Sequence, residues 1–223
     1  MNKKDWIYVG AAVVLSSAAI YVLYRVTNKP KDKSNPLIGG GTETKNDSIK
    51  SILFIGDSNT EANFSYADQL RKMFPNINIK KIAKAGKQTD WMREELEKEL
   101  KNNKYDVISI LGGSNDIYAT GTHKYATLNL DYIYDLAHKN GAKVVAISPP
   151  NKDYYTKKTP EKQAALYNLV NFIKDNPKKD FYIDFWTITR DKKFFSAGDG
   201  YLHAQAPAHK ILSSEFAKKL NLR

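Results

Sequence analysis

Residues Ile52-Leu53-Phe54-Ile55-Gly56-Asp57-Ser58-Asn59-Thr60 form an apolar run that stops at a glycine and is followed at once by a serine. A short Ile/Leu/Phe stretch without polar alternation suits a strand buried on both faces, as in a parallel sheet covered by helices. Such sheets bind and react at the carboxyl ends of their strands. Ser58 therefore falls where chemistry is expected, although Gly-Asp-Ser is also an ordinary turn out of a strand.

Two further motifs bear on that choice. Tyr105 to Ile110 is another β-branched apolar run and a second expected strand. Leu111-Gly112-Gly113-Ser114-Asn115-Asp116 follows it and sets a carboxamide where that strand ends. Near the C-terminus, Asp199-Gly200-Tyr201-Leu202-His203 precedes a helical pattern from about Pro207 to Leu220. A histidine on a loop leading into the last helix is placed to reach back over the sheet. With a serine after the first strand, Gly-x-Asn-Asp after a central strand and an Asp/His pair before the final helix, residues 50–223 resemble the SGNH hydrolases, also called the GDSL esterase/lipase family.

The family's first block falls on Gly56, Asp57 and Ser58, with Asn59 where many members have Leu. Its second block is a lone glycine after the second strand, supplied here by Gly86 after Ile77 to Ile82. The third, Gly-x-Asn-Asp, matches Gly113, Ser114, Asn115 and Asp116 throughout. The last is normally Asp-x-x-His, whereas Asp199 and His203 are four positions apart. This longer spacing leaves a Ser/His dyad open beside the full triad.

A serine hydroxyl is a weak nucleophile at neutral pH and needs a base within hydrogen-bond reach, a task to which histidine is matched. The resemblance implies Ser58 as nucleophile, His203 as base and Asp199 as the acid that fixes the imidazole tautomer. It also implies an oxyanion hole from the backbone N–H groups of Ser58 and Gly86 and the Asn115 amide. Glycine at 86 would let the backbone approach the reacting centre closely. Taken alone, Asn115 also suits a turn cap. His209 is a rival base by type, but it lies inside the expected last helix, where an exposed or capping role is the default. Ser114 has no base-bearing motif beside it.

Between these motifs, strands and helices alternate. Helical patterns cover Tyr66 to Phe74, Thr89 to Leu100 with Trp91, Met92, Leu96 and Leu100 as an inner face, about Ala126 to Asn140, and Pro160 to about Lys174 after a Thr159 cap. Ala142 to Ser148 and Phe181 to Phe185 complete the strands, the first of them broken by Pro149-Pro150. Alternation of this kind indicates an α/β domain. The resemblance adds a three-layer, flavodoxin-like arrangement of five parallel strands between helices.

Residues 6–24 carry no charge, and as a helix they would be about 28 Å long, close to the roughly 30 Å of a bilayer's hydrocarbon core. Trp6, Tyr8, Tyr21 and Tyr24 sit toward the two ends, as interface anchors do. Lys3 and Lys4 before the run also suit a cleaved signal peptide, but Tyr21-Val22-Leu23-Tyr24 leads straight into Arg25 without a small-residue cleavage site. The expectation is a membrane anchor in residues 1–24, a flexible linker over 25–49 rich in Pro, Gly and polar residues, and one folded domain at 50–223.

The net charge of +11 divides into +3 before residue 50, from seven Lys/Arg and four Asp/Glu, and +8 in the domain. Lysines such as Lys80, Lys81, Lys178 and Lys179 fit a solvated face, and no nucleic-acid motif accompanies them. With no cysteine in the chain, disulfides and thiolate metal sites are excluded. The Ser/His chemistry calls for no metal or other cofactor.

Arg25, Lys29, Lys31 and Lys33 after the apolar run outnumber Lys3 and Lys4 before it, which by charge alone favours a cytoplasmic domain. Analogy with envelope-acting hydrolases favours the extracytoplasmic side. The expected function is a membrane-anchored ester hydrolase that removes O-acetyl or other short acyl groups from an envelope polysaccharide or peptidoglycan. Two alternatives stand beside it. One is a lipid or lysophospholipid esterase, and the other is a non-catalytic tethered protein of an envelope or virus particle.

Overall fold

Five short strands, β1 Ser51–Gly56, β2 Asn78–Ala83, β3 Val107–Leu111, β4 Lys143–Ile147 and β5 Phe181–Ile183, form one parallel sheet in the order β2-β1-β3-β4-β5. The structure, a computed structural model, describes residues 49–152 and 159–222. The helices are α1 Ser58–Glu61, α2 Tyr66–Met73, α3 Thr89–Leu100, α4 Ser114–Thr120, α5 Lys124–Lys139, α6 Pro160–Asp175, α7 Phe185–Ile188 and α8 Ala206–Leu220. This is the three-layer α/β arrangement, with the flavodoxin-like strand order.

Successive side chains of a strand point to opposite faces, so each central strand feeds two cores. Leu53, Ile55, Ile108, Ile110, Val144 and Ala146 pack with Met92 and Leu96 of α3, Ile133 of α5 and Leu166 and Leu169 of α6. Ile52, Phe54, Val107, Val145 and Ile147 pack on the other face with Leu70 of α2 and Leu212 and Phe216 of α8. With both faces covered, the strands have no polar side to show.

Gly56 pairs with Ala83 of β2 and Leu111 of β3, so the three strands end level with one another. The chain leaves β1 to one side for β2 and to the other for β3. Their loops therefore open side by side at the point where the winding reverses, the usual binding crevice of such a sheet.

Several expected boundaries move for identifiable reasons. β5 stops at Ile183, not Phe185, because Asp184 accepts hydrogen bonds from Thr187 N at 2.9 Å and Thr187 Oγ1 at 2.8 Å and starts α7. β3 starts at Val107, not Tyr105, and the Asp106 carboxylate before it accepts from Lys50 N and Ser51 N, both at 2.8 Å. Ile49, assigned to the linker by sequence, is buried and belongs to the core with Ile52 and Phe54. The expected anchor at 6–24 and the linker before Ile49 lie outside the described residues. Among the described residues, no helix is long and apolar enough to cross a membrane.

His209 departs most from expectation. Instead of being exposed or capping, it is wholly buried, with ring centroids 5.5 Å from Phe185, 5.6 Å from Phe64 and 6.2 Å from Tyr66. Burial pushes its pKa down from 6.5 to about 4. The unfolded chain therefore binds the extra proton, and the contribution is complete above pH 6.5 and is lost as pH falls toward 4. Between pH 7.5 and pH 4.5, urea unfolding should show a loss of about 2–3 kcal/mol in the native protein that is missing in His209→Leu.

Candidate active site

Ser58 opens α1, and the residue before it fixes that start. Asp57 accepts from Asn59 N at 2.9 Å and from Asn59 Nδ2 at 3.2 Å, capping the helix while it is itself buried. Gly56 is required by close approach, since a Cβ there would run into the Thr60 side chain and lie 2.7 Å from Leu111 O. The turn from strand to helix is therefore tight, and it leaves Ser58 half-buried at the carboxyl edge of the sheet.

The loop after β2 is tied to both neighbours. Lys84 N donates to Gly56 O at 3.3 Å, Ala85 N donates to Glu61 Oε2 at 2.8 Å, and Lys87 N donates to Lys84 O at 3.3 Å. Gly86 occupies the third position of that last turn with φ 73°, and nothing lies within 4 Å of where its Cβ would be. Its backbone is left-handed, a conformation that favours glycine. Asn115, in the first turn of α4, donates from Nδ2 to Lys87 O at 2.9 Å. One amide proton thereby holds the Gly86 loop, and a primary amide has a second to offer.

Asp116 is buried behind Asn115 and accepts from Thr89 Oγ1 at 2.6 Å and from Thr89 N at 3.1 Å. Burial raises its carboxyl pKa, against the lowering effect of the Thr89 hydrogen bonds. Thr89 Oγ1 in turn accepts from Asn129 Nδ2 at 3.1 Å, so the network reaches α5. The Ser114 hydroxyl is fully buried and unavailable as a nucleophile.

Asp199 and His203 meet directly. Asp199 Oδ2 lies 3.0 Å from His203 Nδ1 and accepts from His203 N at 3.2 Å, while Oδ1 accepts from Leu202 N at 3.2 Å. The additional residue in this motif is absorbed by two consecutive left-handed residues, Gly200 at φ 69° and Tyr201 at φ 66°. A bulky residue at positive φ is strained by about 1–2 kcal/mol and persists only where its surroundings hold it. Here Tyr201 N donates to Ser196 O at 2.9 Å, and Lys192 Nζ sits 4.2 Å from the Tyr201 ring centroid. Beyond the histidine, Gln205 Nε2 donates to His203 O at 3.0 Å. Ser58 Oγ and the His203 ring are not hydrogen-bonded to each other.

Residues 54–211 match the GDSL-like Lipase/Acylhydrolase family. The chain belongs to that family. Membership makes it an ester-hydrolysing enzyme, and the matched stretch contains Ser58, Gly86, Asn115, Asp199 and His203. Among solved structures, a member of the lipolytic G-D-S-L family from Veillonella parvula superposes with a TM-score of 0.66 at 16% identity, covering 75% of this chain and 96% of its own. The lipase/acylhydrolase from Enterococcus faecalis gives a TM-score of 0.63 at 20% identity, with 78% and 96% covered. A variant of an acetyl-xylooligosaccharide esterase from Geobacillus Stearmophilus gives 0.61 at 15% identity, with 78% and 96% covered. At these identities the likeness is one of fold. No curated protein sequence matches the chain.

One residue of this GDSL-family site had no signal in the sequence. Lys152 follows Pro149-Pro150-Asn151 in what reads as a polar loop, yet it is 2% exposed and donates from Nζ to Leu202 O at 2.9 Å. Burial lowers its pKa to about 8, opposed by the negative charges of Asp57 and Asp199. The carboxylate beside Ser58 and the carboxylate on His203 thus act on one ammonium. The lysines expected on a solvated face behave differently: Lys80 pairs with Glu99, Lys81 with Asp68, and Lys178 with Asp131 and Asp135.

Proposed function

We propose that this family member cleaves carboxylic esters through an acyl-serine intermediate on Ser58. The observation that carries the assignment is the 3.0 Å contact of Asp199 Oδ2 with His203 Nδ1. That contact supports a ring proton on Nδ1, with Nε2 as the atom that takes the Ser58 proton. Ser58 Oγ then bonds to the substrate carbonyl carbon, and the carbonyl oxygen becomes an oxyanion. The Ser58 and Gly86 N–H groups and the free amide proton of Asn115 stabilise that charge, each such donor being worth about 3 kcal/mol of barrier. His203 returns the proton to the departing alcohol. A water, deprotonated by the same Nε2, releases the acid and restores Ser58.

The substrate we propose is a short acyl ester, above all an O-acetyl group on an envelope polysaccharide or peptidoglycan. Its support is analogy: two of the similar folds are named as an acetyl-xylooligosaccharide esterase and an acetyl xylan esterase. The uncharged stretch at 6–24 supports a membrane anchor with residues 25–48 as tether, and analogy with envelope-acting hydrolases supports a catalytic domain on the extracytoplasmic side. The test is product analysis with the full-length protein. Acetate should be released from O-acetylated polysaccharide at least about tenfold faster than fatty acid from lysophospholipid, a discrimination of about 1.4 kcal/mol in transition-state binding. The reverse preference would make the chain a lipid esterase, and release of neither would overturn both substrate readings.

A further inference from the structure

Lys152 has no step in the mechanism above, yet an ammonium this deeply buried is costly unless it is paired. Its backbone is pinned: Asn151 N donates to Thr189 Oγ1 at 2.8 Å, and that hydroxyl donates to Phe185 O at 2.6 Å, fixing the end of β4 to α7. Its side chain reaches the loop that carries the histidine. There the Leu202 peptide is held from both sides, its N–H by Asp199 at 3.2 Å and its carbonyl by Lys152 at 2.9 Å.

Among the described residues, charged groups act on it from several elements. The negative charges of Asp57, at the end of β1, and Asp199, on the His203 loop, both act on it. The Tyr118 ring of α4 lies 5.6 Å from its Nζ, and Lys162 of α6 sits 6.0 Å from that same ring while donating to Tyr118 O at 3.1 Å. A second cation thus shares the aromatic wall.

We infer that Lys152 is a positioning residue, whose ammonium fixes the Leu202–His203 segment to the sheet and balances the carboxylates of Asp57 and Asp199. This rests on Ser58 and His203 as the reacting pair. Neither carboxylate nor the Leu202 carbonyl is satisfied by a neutral amine in the same way. The working form is therefore the protonated one, and burial brings its loss within reach of mild alkali.

The experiment is the pH dependence of p-nitrophenyl acetate hydrolysis by the full-length protein and by Lys152→Arg and Lys152→Met, with circular dichroism on each. The native enzyme should lose activity through an alkaline limb near pH 8, where Lys152 deprotonates. Arginine stays charged, so Lys152→Arg should keep activity above that limb. Lys152→Met should lower kcat by about a hundredfold at pH 7 with little change in KM, as a misplaced catalytic group does, and show no limb. A purely structural lysine would lower the amount of folded enzyme without moving the limb.

The inference is overturned by a limb near pH 8 that persists in Lys152→Met, or by native kcat in that variant. Should both variants unfold, the native profile decides, and a flat rate from pH 7 to 9.5 overturns it. Ser58→Ala separates this from the catalytic assignment. Activity surviving in Ser58→Ala defeats the mechanism, whereas a dead Ser58→Ala beside a native-like Lys152→Met defeats only the lysine's role.

Discussion

Ser58→Ala is expected to lower kcat for a short-chain ester by about 10⁴ to 10⁶, leaving only what the oxyanion donors and substrate binding supply. The change should be silent in the fold. Ser58 is half-buried, the cap at α1 is made by Asp57 through Asn59 N, and none of the site's hydrogen bonds depends on the Ser58 hydroxyl. Thermal unfolding should therefore be unchanged within about 0.5 kcal/mol, the range of an uncoupled substitution. A fluorophosphonate should form one adduct, on the peptide carrying Ser58, and none in the variant. Ser114 is no substitute nucleophile, since its hydroxyl is wholly buried. A Ser58→Ala enzyme within tenfold of native activity would place the nucleophile elsewhere.

Much of the fold is legible because its signals are local. Continuous apolar runs such as Ile52 to Ile55 mark strands buried on both faces, and the described sheet has that burial throughout β1 and β3. The period of α3 gives Thr89–Leu100 with Met92 and Leu96 buried at the sheet, while Trp91 and Leu100 only flank that core. Gly-x-Asn-Asp is legible as a contiguous motif, although the tasks of its polar members are visible only in the fold. Asn115 holds the Gly86 loop and Asp116 holds the start of α3.

What the sequence hides is set by partners far apart along the chain. His209, Leu212 and Phe216 stand at i, i+3 and i+7, yet a histidine there is by default exposed, and only the packing of α8 against Tyr66 and Phe185 makes it a core residue. Asp184 is a local exception: it reads as part of a strand, yet it caps α7 through Thr187, only three residues on. Lys152 is the extreme case. Residues 57, 152 and 199 share no motif, and their charges meet only because the ends of β1 and β4 and the His203 loop converge at one edge of the sheet. Tyr201 shows the same limit at the backbone, since a tyrosine gives no local sign that φ 66° is demanded of it.

Asp199→Asn is expected to cut kcat by about 10⁴ while leaving the domain folded. In the native loop Asp199 Oδ2 faces His203 Nδ1 at 3.0 Å, so the ring keeps its proton there and presents a bare Nε2. An amide nitrogen in that place donates, Nδ1 must accept, and the ring proton moves to Nε2, where it blocks removal of the Ser58 proton. Folding should lose only about 1 kcal/mol, because Oδ1 still accepts from Leu202 N and the Tyr201 and Gln205 hydrogen bonds brace the loop independently. His203→Ala should be at least as damaging, since it removes the base itself. Steady-state kinetics on both variants, with unfolding curves alongside, distinguish two architectures. A large loss in each fits a triad whose one-residue-longer spacing is taken up by Gly200 and Tyr201. A fewfold loss in Asp199→Asn beside an inactive His203→Ala would make the site a Ser/His dyad, with Asp199 serving only the Leu202 and His203 backbone. Activity in His203→Ala would remove the imidazole from the reaction and overturn both; of the other histidines, His209 is sealed in the core and His138 is paired with Asp180 at 3.0 Å.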